Sequence, residues 1–326
     1  MFFYMKIHLP NSAFLGNIDP FIESFDSTDS SKLEITANKK WISIHPVILS
    51  MVASIGLSIQ DKSRINCEDF EATSKHYLER MGLFDFLGVE SGMQITEHEP
   101  AGRFIPLTQI TNSEQQTRFI TEMIPLLHLQ PEQAEPIKYV ISELVRNVLD
   151  HARTTQGALV CAQFYKKSNT IRIGVADVGI GVYSTIRASH RVSDDMEAIR
   201  KALQPGITGT TSKEGGTELN AGAGLFFIKS IAKVNRDFFI IYSGNAMFKL
   251  LKTPASSKRI TLHSDPFDDR SSKKDNLPNF SGTVVGIDIS LNRNQAFDYL
   301  LDLIRDTYFD RIKIKKKEKF KRAKFT

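Results

Sequence analysis

PIKYVISELVRNVLDHA, residues 136–152, decides more about this chain than any other stretch. Wound on a helix at about 100° per residue, Ile137, Val140, Ile141, Leu144, Val145, Val148 and Leu149 form one continuous apolar arc. Glu143, Asn147 and Asp150 fall in a polar wedge of roughly 60° on the opposite side, and His151 sits where wedge and arc meet. The spacing brings into one space a carboxylate that can polarise water and an amide oxygen that can ligate a hard cation. A solvated face of an ordinary surface helix carries the same pattern, so the residues downstream decide between the two.

In TIRIGVADVGIGV, residues 170–182, Ile171, Ile173, Val175 and Asp177 share one side of a strand by alternation. Asp177 therefore ends an apolar row, and a buried carboxylate needs a partner. The exocyclic amine of adenine is a donor of suitable size, and Gly179 and Gly181 would let backbone approach a flat ring. An ordinary Asx turn would also read DVGIG. In NAGAGLFFIKSIAK, residues 220–233, Gly222 and Gly224 precede an apolar helix whose free N–H groups and dipole favour phosphate. A flexible loop before a helix fits those glycines equally. Phe227 stands where a GxGxxG fingerprint would need its third glycine, and no GxxxxGK[ST] loop is present. Thr283, at the start of the last strand, would place a hydroxyl beside Asp177 if the two strands are neighbours; threonine is a common strand residue in any case.

Around this region, helical segments are expected at 114–128 and 133–152, with a hairpin of GALVCAQFY and NTIRIGVAD around KKSN. A polar, glycine-rich stretch follows to Gly222, then a helix, the strand FFIIYSG, a polar insertion at about 250–281 and the strand GTVVGIDISL. Residues 1–110 alternate strand-like KIHLP and KLEIT with the buried-helix pattern HPVILSMVASIGLSI, a further strand at Arg64 to Cys67, and a helix over SKHYLERMGLFDFLG that Gly82 could end early. That alternation predicts a small α/β domain, with a boundary near 108–114.

The 326 residues suffice for two domains. No run approaches the roughly 20 apolar residues that span a bilayer, and MFFYMKIHLP has no signal-peptide core, so a cytoplasmic protein is expected. Cys67 and Cys161 lack CxxC spacing and read as structural thiols rather than zinc ligands. The net charge of +5 is localised: residues 311–326 hold nine Lys or Arg and one Glu, leaving the body at −3. Interleaved with Phe320 and Phe325, this tail suits nucleic acid or an anionic membrane surface, or a solvated terminus. Leu300, Leu301 and Ile304 ahead of it are placed to dock on the core.

ExxxN on a helix, DxGxG after a strand, a long polar lid, GxGL before a helix and GT on a strand, in that order over residues 114–292, resemble the GHKL superfamily. Its members include gyrase B, MutL, heat-shock chaperone ATPases, sensor histidine kinases and anti-sigma-factor kinases. The resemblance implies a Bergerat-type α/β sandwich, a mixed sheet packed on helices, with ATP and Mg²⁺ between the helices and a mobile lid at about 182–221. It implies Glu143 as general base and Asn147 as magnesium ligand. Asp177 with Gly179 and Gly181 would bind adenine, Gly222 and Gly224 phosphate, and Thr283 would support the aspartate. His151 stands where anti-sigma-type members often carry histidine; a structural role at the helix end is the other reading. Residues 1–110 resemble STAS-type domains in their alternation, the helix after Pro46 and YLERMGLFDFLG, but lack the aspartate-serine-serine-glycine phosphorylation signature.

Histidine kinases usually carry asparagine where Glu143 stands, and His128 is too close to the motif to lie on a preceding dimerisation helix. An ATPase that switches a partner protein is therefore expected, with a homodimer left open. A serine/threonine kinase of the anti-sigma type and a non-catalytic ATP sensor with a nucleic-acid-binding tail are the alternatives. About 34 residues follow the last strand, too few for the lysine-bearing domain of gyrase-like relatives, so slow turnover is expected. Lys213, in PGITGTTSKEGG, is a candidate for the γ-phosphate.

Overall fold

A computed structural model describes residues 5–25, 31–40, 42–67, 75–92, 104–209, 224–254, 256–257, 260–291 and single positions between 302 and 313. Strands β1 (Met5–Leu9), β3 (Leu33–Ala37) and β5 (Ile65–Asn66) form a parallel sheet in that order, and β2 (Ser12–Ala13) pairs with β4 (Ser43–Ile44). The short helix α1 (Asp19–Ser24) and the long α2 (Pro46–Ser58) lie between them in sequence. Helix α3 (Lys75–Arg80) stops at Gly82, which adopts φ +75°, and α4 (Leu83–Leu87) restarts beyond it. The expected single helix is therefore two, because the left-handed residue turns the chain.

The second region carries seven strands: β6 (Phe104–Ile110), β7 (Ala158–Tyr165), β8 (Thr170–Asp177), β9 (Phe239–Gly244), β10 (Ala246–Leu250), β11 (Ser271–Lys274) and β12 (Phe280–Ser290). They make one sheet in the order β11-β10-β9-β12-β8-β7-β6. Every pairing in it is antiparallel, which corrects the expected mixed sheet. The reason lies in the connections: β7 to β8 and β9 to β10 are tight reversals, and β12 enters between β8 and β9 running against both. Helices α5 (Ser113–Arg118) and α6 (Pro131–His151) precede β7, separated by tighter and wider turns over 119–127. Helices α7 (Gly181–Arg187), α8 (Asp195–Ala202) and α9 (Gly224–Val234) fall between β8 and β9.

The sheet is a middle layer, buried on both faces. Val160, Ala162, Ile173, Val175 and Val285 face the core shared with α6 and α9. Leu159, Cys161, Ala176, Tyr242 and Val284 face α2 and the N-terminal strands. This is why LVCA reads as a continuous apolar run rather than an alternating one. Helix α2, buried along all of 46–56, is largely apolar all round because it packs on the large sheet and on α4 within the N-terminal core. Strand β6, residues 104–110, which overlaps the boundary expected at 108–114, is an edge strand of the large sheet.

Gly174 on β8 permits the contact with α2. A Cβ there would stand 2.3 Å from the backbone nitrogen of Val47. Gly174→Ala should cost about 1–3 kcal/mol, read as a lowered melting temperature, because neither the sheet nor the helix backbone can yield without repacking. An unchanged melting curve would show that α2 is not held there. The cap of α2 adds a polar clasp. His45 Nδ1 accepts from the Val47 N–H at 3.0 Å, which leaves Nε2–H to donate to Asp288 at 3.1 Å. Burial holds the imidazole below its ordinary pKa despite that carboxylate. Arg172, 3.5 Å from Asp288, lies between the rings of Phe14 and Tyr165 at 4.1 and 4.0 Å.

The segment expected as a surface insertion, 250–281, is built into the fold. It supplies β11, and Asp269 accepts from the fully buried Lys229 of α9 at 2.7 Å. Ile304 is buried in the core of α6 and α9, as its spacing predicted; Leu300 and Leu301 lie outside the described residues. Cys161 and Cys67 are free, and burial pushes both thiols up to about 12, in keeping with unreactive structural groups. Among the described residues no helix is long and apolar enough to cross a membrane.

Candidate functional site

Helix α6 buries Ile137, Val140, Ile141, Leu144, Val145 and Val148 in the core, as the period requires. Its other side forms a wall of a pocket that opens to solvent. The lining includes Glu143, Asn147 and His151, one i, i+4 row. Such a row slants across the helix axis, which is why the pocket continues to His151 while Asp150, inside the wedge by angle, is exposed. Burial holds the His151 imidazole below its ordinary pKa.

Asp177 enters from the opposite wall, at the end of β8. Ile171, Ile173 and Val175 lie on the α6 side of the sheet, and Asp177 continues their row into the pocket. The residue is 2% exposed. Oδ1 accepts from the Gly179 N–H at 2.7 Å, and the Thr283 N–H donates to the same carboxylate. Among the described residues no cation pairs with it; burial outweighs the two donors and pushes it up to about 6. Thr283 lies directly across from Asp177 in the β8–β12 register, so the expected neighbourhood is observed.

The turn after Asp177 is fixed by close approach. A Cβ on Gly179 would stand 2.1 Å from the carbonyl oxygen of Ala152, to which the Ile180 N–H donates at 2.9 Å. The loop is thereby tied to the end of α6. Gly181 opens α7, and the next N–H, of Val182, donates to Ser243 Oγ at 2.9 Å. Ser243 in turn donates to the Gly282 carbonyl at 2.6 Å, joining α7, β9 and β12 around the aspartate.

Gly224 begins α9 beside Glu143. A Cβ at 224 would lie 2.6 Å from Glu143 Oε2 and 3.7 Å from Asn147 Nδ2. The N-terminus of an eleven-residue helix thus meets the carboxylate and the amide. Burial raises the Glu143 pKa, while Arg146, donating to Oε2 at 2.6 Å, opposes the rise. Asn147 Nδ2 is buried without a hydrogen-bond partner among the described residues. No bond holds that nitrogen, so a half-turn of the amide presents the oxygen instead. Among the described residues no cluster of three or more His, Cys, Asp or Glu could cage a metal. Magnesium usually takes one or two protein oxygens with phosphates and water, so a lone amide suits it better than a calcium- or zinc-type cage.

The expected lid at 182–221 divides. Residues 181–187 and 195–202 are helices α7 and α8, with α8 capped by Asp194, whose carboxylate accepts from the Glu197 N–H at 2.8 Å. Arg200 pairs with Asp265, and Ser189 Oγ donates to the Gly209 carbonyl at 2.8 Å, so this part is a packed wall of the pocket. Gly222, Lys213 and the rest of 210–223 lie outside the described residues, as does the basic tail apart from Lys313. Sequence reasoning missed Arg146, which lines the pocket; its position three residues after Glu143, on the same flank of the helix, was the available signal.

No protein-family model matches the chain, and no curated protein matches it.

Proposed function

We propose that this chain is a magnesium-ATP-binding ATPase of the GHKL type whose nucleotide state controls a partner protein. One observation carries the reading: an uncompensated buried carboxylate, Asp177, faces across a single pocket the Glu143–Asn147 wall and the start of α9. Asp177 suits the exocyclic amine of adenine, since among the described residues its carboxylate meets only the Gly179 and Thr283 N–H groups and keeps acceptor capacity to spare. Apolar Val175, Val182, Ile186, Ile207 and Val285 suit the flat ring. Asn147 and the N-terminus of α9 suit the phosphates and their metal. Magnesium, when bound, would neutralise phosphate charge.

Glu143 supplies the chemistry. Its carboxylate takes a proton from water while the water oxygen bonds to the terminal phosphorus and the bond to the bridging oxygen breaks. Desolvation makes it a better proton acceptor than an exposed glutamate. ATP labelled in the γ-phosphate, incubated with the purified chain and with cell extract, tests the proposal. Magnesium-dependent release of free phosphate is the expected result. Label transferred to a protein would instead assign Glu143 to deprotonating a partner hydroxyl. Neither product above a magnesium-free control would sink both.

A further inference from the structure

Arg146 is the only Lys or Arg among the described residues lining the pocket, which also contains the carboxylates of Glu143 and Asp177. A polyphosphate entering such a site needs positive charge, and among the described lining residues Arg146 is where a permanently charged side chain can supply it. At present that charge is engaged. Nη2 donates to Glu143 Oε2 at 2.6 Å, the oxygen that lies 2.6 Å from where a Cβ on Gly224 would stand. Guanidinium, base and the N-terminus of α9 therefore meet at one point. The next residue along the helix is Asn147, whose amide nitrogen has no partner among the described residues.

We propose that Arg146 is the terminal-phosphate contact of this pocket, held on Glu143 until a nucleoside triphosphate draws it across and frees the carboxylate. The inference rests on the ATP reading above. An i, i+3 pair whose arginine side chain is 50% exposed is a weak interaction and opens cheaply. A phosphate carries more charge than the carboxylate and matches the guanidinium fork with two parallel hydrogen bonds. The exchange thus favours phosphate whenever a terminal phosphate is within reach. A diphosphate leaves Arg146 on Glu143 and the carboxylate occupied. The same movement that recognises the triphosphate therefore uncovers the group that acts on it.

Calorimetry with magnesium, comparing the non-hydrolysable β,γ-imido analogue of ATP with ADP, tests the exchange in wild type, Arg146→Gln and Arg146→Lys. Arg146→Gln should weaken the triphosphate analogue roughly tenfold to a hundredfold, while ADP changes by less than about threefold. Arg146→Lys should recover part of the difference, because it restores charge without the fork. A wild-type melting temperature for Arg146→Gln, expected for a half-exposed side chain, assigns the loss to binding. If both nucleotides weaken equally, or neither does, the Arg146 assignment falls and the ATP reading stands. Wild-type protein that binds neither nucleotide takes both down.

Discussion

Asp177→Asn is expected to weaken ATP binding by two to three orders of magnitude while leaving the unliganded protein at least as stable as wild type. The carboxylate presents only acceptors, and the adenine amine presents only donors to it. An asparagine keeps one acceptor but turns an –NH₂ group toward the ligand or toward the Gly179 and Thr283 N–H groups, whichever way it is seated. Sites built around one hydrogen-bonding pattern reject its mismatch by factors on the order of 10² or more. Stability moves the other way. The proton is held more tightly in the folded chain, where the pKa is about 6, than at the ordinary 3.8. Between those values the folded state binds more protons than the unfolded one, so wild-type stability falls as pH rises through the window and stays reduced above it. The penalty is about 3 kcal/mol as an upper bound. Asp237, also pushed up to about 6 by burial, contributes the same slope in both proteins and drops out of the comparison. Calorimetric titration at pH 7.5 and melting curves from about pH 4 to 8 check both halves. Wild-type affinity in the variant would defeat the adenine assignment. A melting curve well below wild type would show that the charge is needed by the fold rather than by a ligand.

What could be read from the sequence follows from which signals are local. Helix α6 was legible because a 3.6-residue period over 136–152 leaves a single solution, and Asp177 because alternate residues of a strand share a face, which sets it in the row of Ile171, Ile173 and Val175. Thr283 became informative only through its register with Asp177, which links residues far apart in the chain. Strand direction was not legible: it depends on how β12 enters between β8 and β9, and no local pattern records that. Strand β11, SSKK, has no apolar alternation because it is an edge strand held by its ladder to β10, so it read as part of an insertion. Strand β6 overlaps the boundary expected near 108–114, and its pairing left no local signal because its partner, β7, begins about 50 residues later. Arg146 shows the same limit within the site. On the helical wheel it is one more charged residue, and only the approach of α9 to Glu143 gives it a place in the pocket.

That approach also sets what loss of the base should do. Glu143→Ala is expected to lower turnover by about three orders of magnitude and to leave nucleotide affinity unchanged or improved. On the proposed reading the carboxylate does not bind the nucleotide; it brings negative charge close to where the phosphates would lie, so its removal takes away a repulsion. It also leaves Arg146 without its ion-pair partner, and a guanidinium already free can meet phosphate without first breaking a bond. The variant should therefore accumulate as a complex with intact ATP, detectable by filter binding and by nucleotide extraction after hours of incubation. In wild type the acid limb of turnover should lie above the ordinary glutamate value of 4.5, because burial, the largest influence on Glu143, favours its protonated form. At low pH the wild type should come to resemble the alanine variant, since a protonated carboxyl can neither take a proton from water nor hold Arg146 by charge. Hydrolysis persisting in Glu143→Ala at the wild-type rate would remove Glu143 from the chemistry. Turnover lost together with binding would show that the side chain shapes the pocket instead. Only turnover lost with binding kept is the signature of a base that acts on a nucleotide held by other residues.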